Sequence, residues 1–237
     1  MMNNYESSKD KKARTISVLA ILVAVLGLSM GFAAFSNTLT IKSSAEVIPD
    51  ESIFNVDFSK NSDSVVDDDI VPVLTPSGVT GFTATNAVID NDNGDAVIKN
   101  LHAVFTEPGQ KAEYNFYTKN AGDLKAYLKS VTFANISGDS VAKKCTAKSV
   151  TAPNTPATQS LVDRACQGIT LTVTVGSEAF TGSTLRNAFA SETAHDLDKA
   201  GSEPVKVTIA YEAGSEQADG GFDVSFGDVT LLYSSVV

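Results

Sequence analysis

Two histidines, two cysteines and two acidic clusters are the residues of this chain whose types can do chemistry. His102 lies in a strand-like run between Leu101 and Ala103. His195 stands beside Asp196 in a polar stretch. No His-Glu-x-x-His pair is present and no Cys-x-x-Cys, so neither a zincin nor a zinc knuckle is supported. There is no Gly-x-Ser-x-Gly elbow and no phosphate-binding loop. Asp67-Asp68-Asp69 reads as a solvated acidic loop. The run Asp90-Asn91-Asp92-Asn93-Gly94-Asp95 invites calcium. With Gly94 as the sixth position of an EF-hand loop, however, Ile89 is first and Asn100 is twelfth, where a bidentate glutamate is required. Asn93-Gly94 is instead a hairpin-turn signal. No catalytic, cofactor-binding or metal residue is assigned, no cofactor is expected, and an enzyme is not.

Cys145 and Cys166 are the only cysteines. Outside a reducing compartment an even pair reads as a disulfide. Such a bond closes a loop of about twenty residues, worth about 3 kcal/mol by the loop-entropy estimate. Two buried free thiols are the alternative.

The stretch that decides where these residues work is Lys9 to Phe35. Lys9, Lys11, Lys12 and Arg14 precede Ile16–Phe35, about twenty uncharged residues, and Ser36-Asn37 return the chain to polar sequence. A basic flank, an apolar run and a small-residue exit make a secretory signal peptide, with Ala33 and Ala34 at the cleavage site. The same run is long enough to span a bilayer as a retained anchor. Either way the positive flank stays inside and the rest faces outward. Residues 1–33 are therefore read as signal peptide or anchor, 34–48 as a β-prone arm containing Phe35, Leu39, Ile41 and Val47, and 49–237 as one domain.

The chain has 18 basic and 28 acidic residues, a net charge of −10. Residues 1–33 hold four basic and two acidic ones, which leaves 14 against 26, a net of −12, on the exported part. That field opposes binding to nucleic acid and to anionic lipid, so contact with membrane is expected only through the N-terminal helix before cleavage. The exported part is rich in Val, Thr, Ser, Ala, Gly and Phe, a strand-forming composition.

Alternation is the main signal along it. It predicts strands around Phe54, Val56 and Phe58, across Ala84–Ile89 and Ala96–Phe105, along Ala112, Tyr114, Phe116 and Thr118, from Tyr127 to Phe133, along Ile169, Leu171, Val173 and Val175, and along Val205, Val207, Ile209 and Tyr211. Val71–Leu74, bounded by Pro72 and Pro76, suits an edge strand. Phe222, Val224 and Phe226 alternate, as do Val229, Leu231 and Tyr233; the offset between the two sets predicts a β-bulge at Gly227-Asp228. Ser160–Gln167 predicts a short helix ending at Gly168, and Ser183 caps a second. Nine to eleven strands with one or two short helices make an all-β antiparallel sandwich of jelly-roll or Ig-like type.

SMGFAAFSNTLTIKSSAEV, with Ala33-Ala34-Phe35-Ser36-Asn37 at its centre, resembles the signal region of the TasA/camelysin family of bacterial surface and biofilm-fibre proteins. A second stretch, AVFTEPGQKAEYNFYTKNAGDLKAYLKSVTF, is similar to a pattern of TasA-like and related surface sandwiches at Pro108, Gly109, Tyr114, Phe116, Asn120, Gly122 and Leu128. Many extracellular Ig-like modules share that second pattern. The resemblance implies cleavage by a SipW-type signal peptidase and a structural, biofilm- or matrix-associated role. Camelysin-like proteins have been classed among metallopeptidases, but the zinc motif that would carry this activity over is absent.

Three readings follow. The first is a secreted, self-associating cell-surface subunit whose arm adds as a strand to the next copy or to another surface protein. The second is a membrane-anchored adhesion or binding module. The third is an exported hydrolase with no recognisable site.

Overall fold

The alternating run Lys111–Asn120 is the strand on which most of the described chain is laid. The structure is a computed structural model that describes residues 53–66, 68–91, 96–136, 138–148, 157–181 and 195–235, all within one compact unit, Pro49–Val237. In chain order the strands are β1 (Val56–Ser59), β2 (Val73–Thr75), β3 (Thr83–Ala84), β4 (Val88–Asp90), β5 (Ala96–Lys99), β6 (His102–Phe105), β7 (Lys111–Asn120), β8 (Ala126–Phe133) and β9 (Lys143–Ala147). Helix α1 (Gln159–Cys166) follows, then β10 (Ile169–Val175), β11 (Glu178–Thr181), β12 (Ser202–Tyr211), β13 (Phe222–Phe226) and β14 (Val229–Ser235). The protein is mostly β, with antiparallel sheets and one short helix among the described residues.

Three sheets form. A six-stranded sheet runs β1–β7–β12–β10–β11, with β2 also on β7; two four-stranded sheets run β3–β6–β13–β9 and β4–β5–β14–β8. The two smaller sheets are built from the same chain runs. β5 passes into β6 at Asn100-Leu101, where Asn100 has φ +62°, and β13 passes into β14 at Gly227-Asp228. Asparagine tolerates this left-handed conformation better than most residues. These corners are one reason why fourteen strands stand among the described residues where nine to eleven were expected; the expected Ala84–Ile89 strand is also divided, into β3 and β4, and β9 and β11 lie outside the runs that alternation marked. They also correct the expected bulge. The offset between Phe222–Phe226 and Val229–Tyr233 is met by a change of sheet, and the irregular pairing lies instead between Leu232 and Tyr233.

The predicted alternations are the buried faces. Ala112, Tyr114, Phe116 and Thr118 are buried on β7, Ile169, Leu171, Val173 and Val175 on β10, and Val205, Val207, Ile209 and Tyr211 on β12. Side chains of all three sheets, with Val162 and Ala165 of α1, belong to one apolar cluster. Within it Phe58 meets Phe116 edge to face at 4.9 Å, and Phe105, Tyr211 and Phe222 form a second aromatic group. Each such ring buried contributes about 1.5–3 kcal/mol. Two phenols bond from sheet to sheet. Tyr114 of β7 donates to the carbonyl of Thr85 at 3.1 Å, and Tyr233 of β14 donates to Thr118 Oγ1 at 3.2 Å.

The turn chemistry matches its residues. Gly109 has φ +95°, as a Pro-Gly type II turn requires. Asn120 is fully buried and donates to the carbonyls of Leu124 at 2.7 Å and Leu197 at 3.0 Å, while its Oδ1 accepts from Gly122 N–H. Gly122 is needed there, because a Cβ would sit 2.6 Å from the backbone nitrogen of Asn55. Among the described residues no helix is long and apolar enough to cross a membrane. The apolar run Ile16–Phe35 and the helix expected after Ser183 lie outside the described residues, as does the Asn93-Gly94 turn.

Candidate functional site

β7 has β12 along one side and only fragments along the other. β1 pairs with Tyr117–Asn120 and β2 with Lys111–Glu113, so Tyr114, Asn115 and Phe116 have no ladder partner on that side among the described residues. This broken edge is also apolar. Six large apolar side chains among the described residues are more than a third exposed, and Val71 and Val73, 64% and 53% exposed, follow the register of β2 along this edge. Ile53 lies beyond the other end of β7, where its carbonyl accepts from Asp123 and Leu124 N–H. Val88 follows Ala87, whose backbone is bridged to Ile70. β1 is closed at Phe58 by the Asn91 side chain, which accepts from Phe58 N–H at 2.8 Å and donates to its carbonyl at 2.9 Å, as a neighbouring strand would. β2 pairs with β7 alone among the described residues. Pro72 and Pro76 flank it and limit its length.

The predicted disulfide is present. Cys145 of β9 and Cys166 at the end of α1 are bonded, with Cα atoms 6.1 Å apart. Two polar side chains reinforce it. Lys143 Nζ donates to the carbonyls of Cys166 at 2.9 Å and Ile169 at 2.8 Å, and Gln159 Nε2 donates to the Cys145 carbonyl at 3.0 Å. Lys143 thereby serves the Cys166 carbonyl at the helix C-terminus and joins it to the start of β10, and burial lowers its pKa. Arg164 pairs with Glu216 at 2.8 Å; that contact raises the Arg164 pKa and lowers that of Glu216.

The histidines occupy separate places. His102 of β6 faces Asp223 of β13, Nε2 to Oδ1, at 3.2 Å. His195, with φ +49°, sets Nδ1 2.9 Å from Glu203 Oε1 and Nε2 3.2 Å from Glu178 Oε2, and its ring meets Phe180 edge-on. The Glu203 hydrogen bond is the main cause raising its pKa, against burial, with Glu178 adding to it. Glu203 Oε2 is buried without a hydrogen-bond partner. With a carboxylate on each ring nitrogen, the imidazole tethers β11 to β12. No group of three or more His, Cys, Asp or Glu among the described residues is arranged to hold a metal. Asp68 pairs with Lys60 at 3.6 Å, and Asp90 with Lys99.

Of the residues singled out from sequence, Cys145 and Cys166 are brought together. Ala33, Ala34, Phe35, Leu39, Ile41 and Val47 lie outside the described residues. Sequence reasoning missed the His195 clasp and the Lys143 cap. The exposed valines had a signal, the apolar run bounded by Pro72 and Pro76 that was expected as an edge strand, and β2 takes that place. The clasp had none, since Glu178, His195 and Glu203 share no local pattern. Comparison with known proteins adds no relative: no family model, no curated protein and no solved structure matches the chain.

Proposed function

We propose that the protein is an exported, non-enzymatic bacterial cell-surface or extracellular-matrix subunit that assembles by strand addition. Its sheets are read as the two layers of one antiparallel sandwich, a reading supported by the phenol bonds that Tyr114 and Tyr233 make from sheet to sheet. In this reading a signal peptidase removes residues 1–33, and the arm 34–48 of one copy seats along the β1/β2 edge of the next. The observation that carries it is that edge. Val71 and Val73 are exposed beside backbone of β7 that lacks a ladder partner among the described residues. An added strand would take up the free backbone groups and cover the valines. Because donor arm and acceptor edge are different surfaces, the contact is head to tail and does not close on a pair.

Deleting residues 34–47 tests it. Electron microscopy of the cell surface and light scattering of the purified protein should show loss of polymers, with circular dichroism unchanged. Polymers that survive the deletion would refute strand addition by the arm. A second reading, a membrane-anchored adhesion module, is favoured by the length of Ile16–Phe35, enough to span a bilayer if uncut. N-terminal sequencing separates the two: a first residue of Ala34 or Phe35 fits the subunit, an intact Met1 or Met2 the anchor.

A further inference from the structure

The solvent face of the six-stranded sheet carries a groove of about 520 Å³ over β7, β12 and β10, within the range of small-ligand sites. Strand register explains its lining. Lys206 of β12 lies directly between Asn115 of β7 and Thr174 of β10, which makes one row across three strands. Two residues along, Pro204 lies between Tyr117 and Gly176, whose N–H donates to the Pro204 carbonyl at 2.9 Å. The rows are therefore about 7 Å apart and each about 10 Å wide. The first offers an amide, an ammonium and a hydroxyl. The second offers a tyrosine ring, a proline ring and, at Gly176, no side chain. Lys60, just beyond β1, forms the wall beside Tyr117. The alternate side chains Phe116, Val173, Val175 and Val205 are buried, which fixes both rows to the core.

This face is chemically unspent. The Asn115 amide, the Tyr117 phenol and the Thr174 hydroxyl make no hydrogen bond to any described residue. Lys206 and Lys60 have carboxylates only at 3.4 Å (Glu113) and 3.6 Å (Asp68), beyond good hydrogen-bond length. No Asp or Glu lines the groove. In a chain of net charge −10, two lysines bordering one polar groove, each paired with its carboxylate only at 3.4–3.6 Å, mark the place for an anionic ligand. A nucleic acid would meet the acidic field over its whole length. A tyrosine ring and a proline ring side by side in the register, next to a row of polar donors, suit a sugar, whose C–H face covers rings while its hydroxyls reach the row. One ammonium flanked by two neutral donors, with Glu113 3.4 Å from that ammonium at the groove margin, suits a singly charged carboxylate better than a multiply charged phosphate, whose repulsion from Glu113 is larger. We propose that this groove binds a carboxylated saccharide of the uronic-acid kind, with Tyr117 and Pro204 as the platform, Lys206 on the carboxylate, and Asn115 and Thr174 on the hydroxyls. The site does not depend on assembly by strand addition.

Titration of the isotopically labelled full chain with trigalacturonate, maltotriose and tripolyphosphate tests it. The expected result is saturable binding of trigalacturonate, amide shifts centred on Asn115, Tyr117, Thr174 and Lys206, and binding of maltotriose weaker by about tenfold or more. Lys206→Gln and Tyr117→Ala should each weaken trigalacturonate binding by about tenfold or more, and Lys111→Gln, outside the groove, should not. Absent binding, shifts centred elsewhere, or affinity unchanged in both groove variants would overturn the proposal. Equal binding of tripolyphosphate would overturn the saccharide and leave a general anion site. The shift map on the unaltered chain decides the matter even if a variant fails to fold.

Discussion

At the residue scale the most informative side chain is His195. Its conformation is left-handed, which histidine adopts more readily than most non-glycine residues, and both ring nitrogens face carboxylates. The Glu203 and Glu178 contacts favour the imidazolium, so the folded-state pKa stands above the unfolded value of about 6.5. Below that unfolded value the ring is charged in both states and the stabilisation is fully present. As pH rises through the elevated folded pKa the proton leaves and the stabilisation is lost. The stability gap between the natural protein and His195→Gln should therefore be widest near pH 5.5–6.5 and narrow toward pH 9, where urea-unfolding midpoints read it. A gap constant across that range would mean the clasp works by packing on Phe180 and not by charge. Sequence gave His195 an acidic neighbour in Asp196, but the working partners are Glu178 and Glu203. They approach it only because β11 and β12 both flank β10.

At the element scale, the β9–α1 lobe depends on its cross-link. Helix α1 has eight residues, too short to persist alone in water. It is held by the buried Val162 and Ala165, the Cys145–Cys166 bond, the Lys143 cap and the Gln159 contact. Reduction, or Cys166→Ser with Cys145→Ser, should cost about 3 kcal/mol from the loop released. Amide exchange should accelerate first in α1 and β9, leaving β7, β10 and β12 protected; uniform acceleration would instead make the lobe part of the cooperative core. The elements differ in how legible they were. β10 and β12 could be read residue by residue, because one face is buried and the other wet along their length. The helix was visible within one residue, since Gly168 ends it. Corners were not visible. An alternating run looks the same whether the strand stays in its sheet or turns into another, so the break at Asn100 escaped and the one at Gly227-Asp228 was located but read as a bulge. The groove was half legible: the alternation of Ala112, Tyr114, Phe116 and Thr118 leaves Asn115 and Tyr117 together on the opposite face, but their union with Lys206 and Thr174 needs a register joining residues some sixty to ninety positions apart.

For the whole molecule, the question is why an acidic sheet protein keeps exposed valines at an edge. Sheet edges are normally guarded by charge, proline or a bulge, because unpaired backbone invites a second chain. Here the guarding is uneven. Asn91 closes β1 by imitating a strand, and prolines bracket β2, yet Val71 and Val73 stand in water. The net charge of −10 opposes indiscriminate association, so any contact at this edge has to be specific and short-ranged. A lysine at the edge should therefore abolish the proposed strand addition without harming the fold. Val73 is more than half exposed, so Val73→Lys should change stability by no more than about 0.5 kcal/mol. Its charge would have to be buried beneath an incoming strand, at a cost of several kcal/mol. Polymer length by light scattering should collapse for Val73→Lys and persist for Lys129→Glu, an alteration on β8, away from this edge. Raising salt shortens the Debye length from about 10 Å at 0.1 M to about 3 Å at 1 M. It should therefore promote assembly of the natural chain by screening repulsion between copies, while leaving Val73→Lys monomeric, because a buried charge is screened far less than an exposed one. Rescue of Val73→Lys by salt would show that repulsion between whole subunits, and not the chemistry of the edge, sets whether they join.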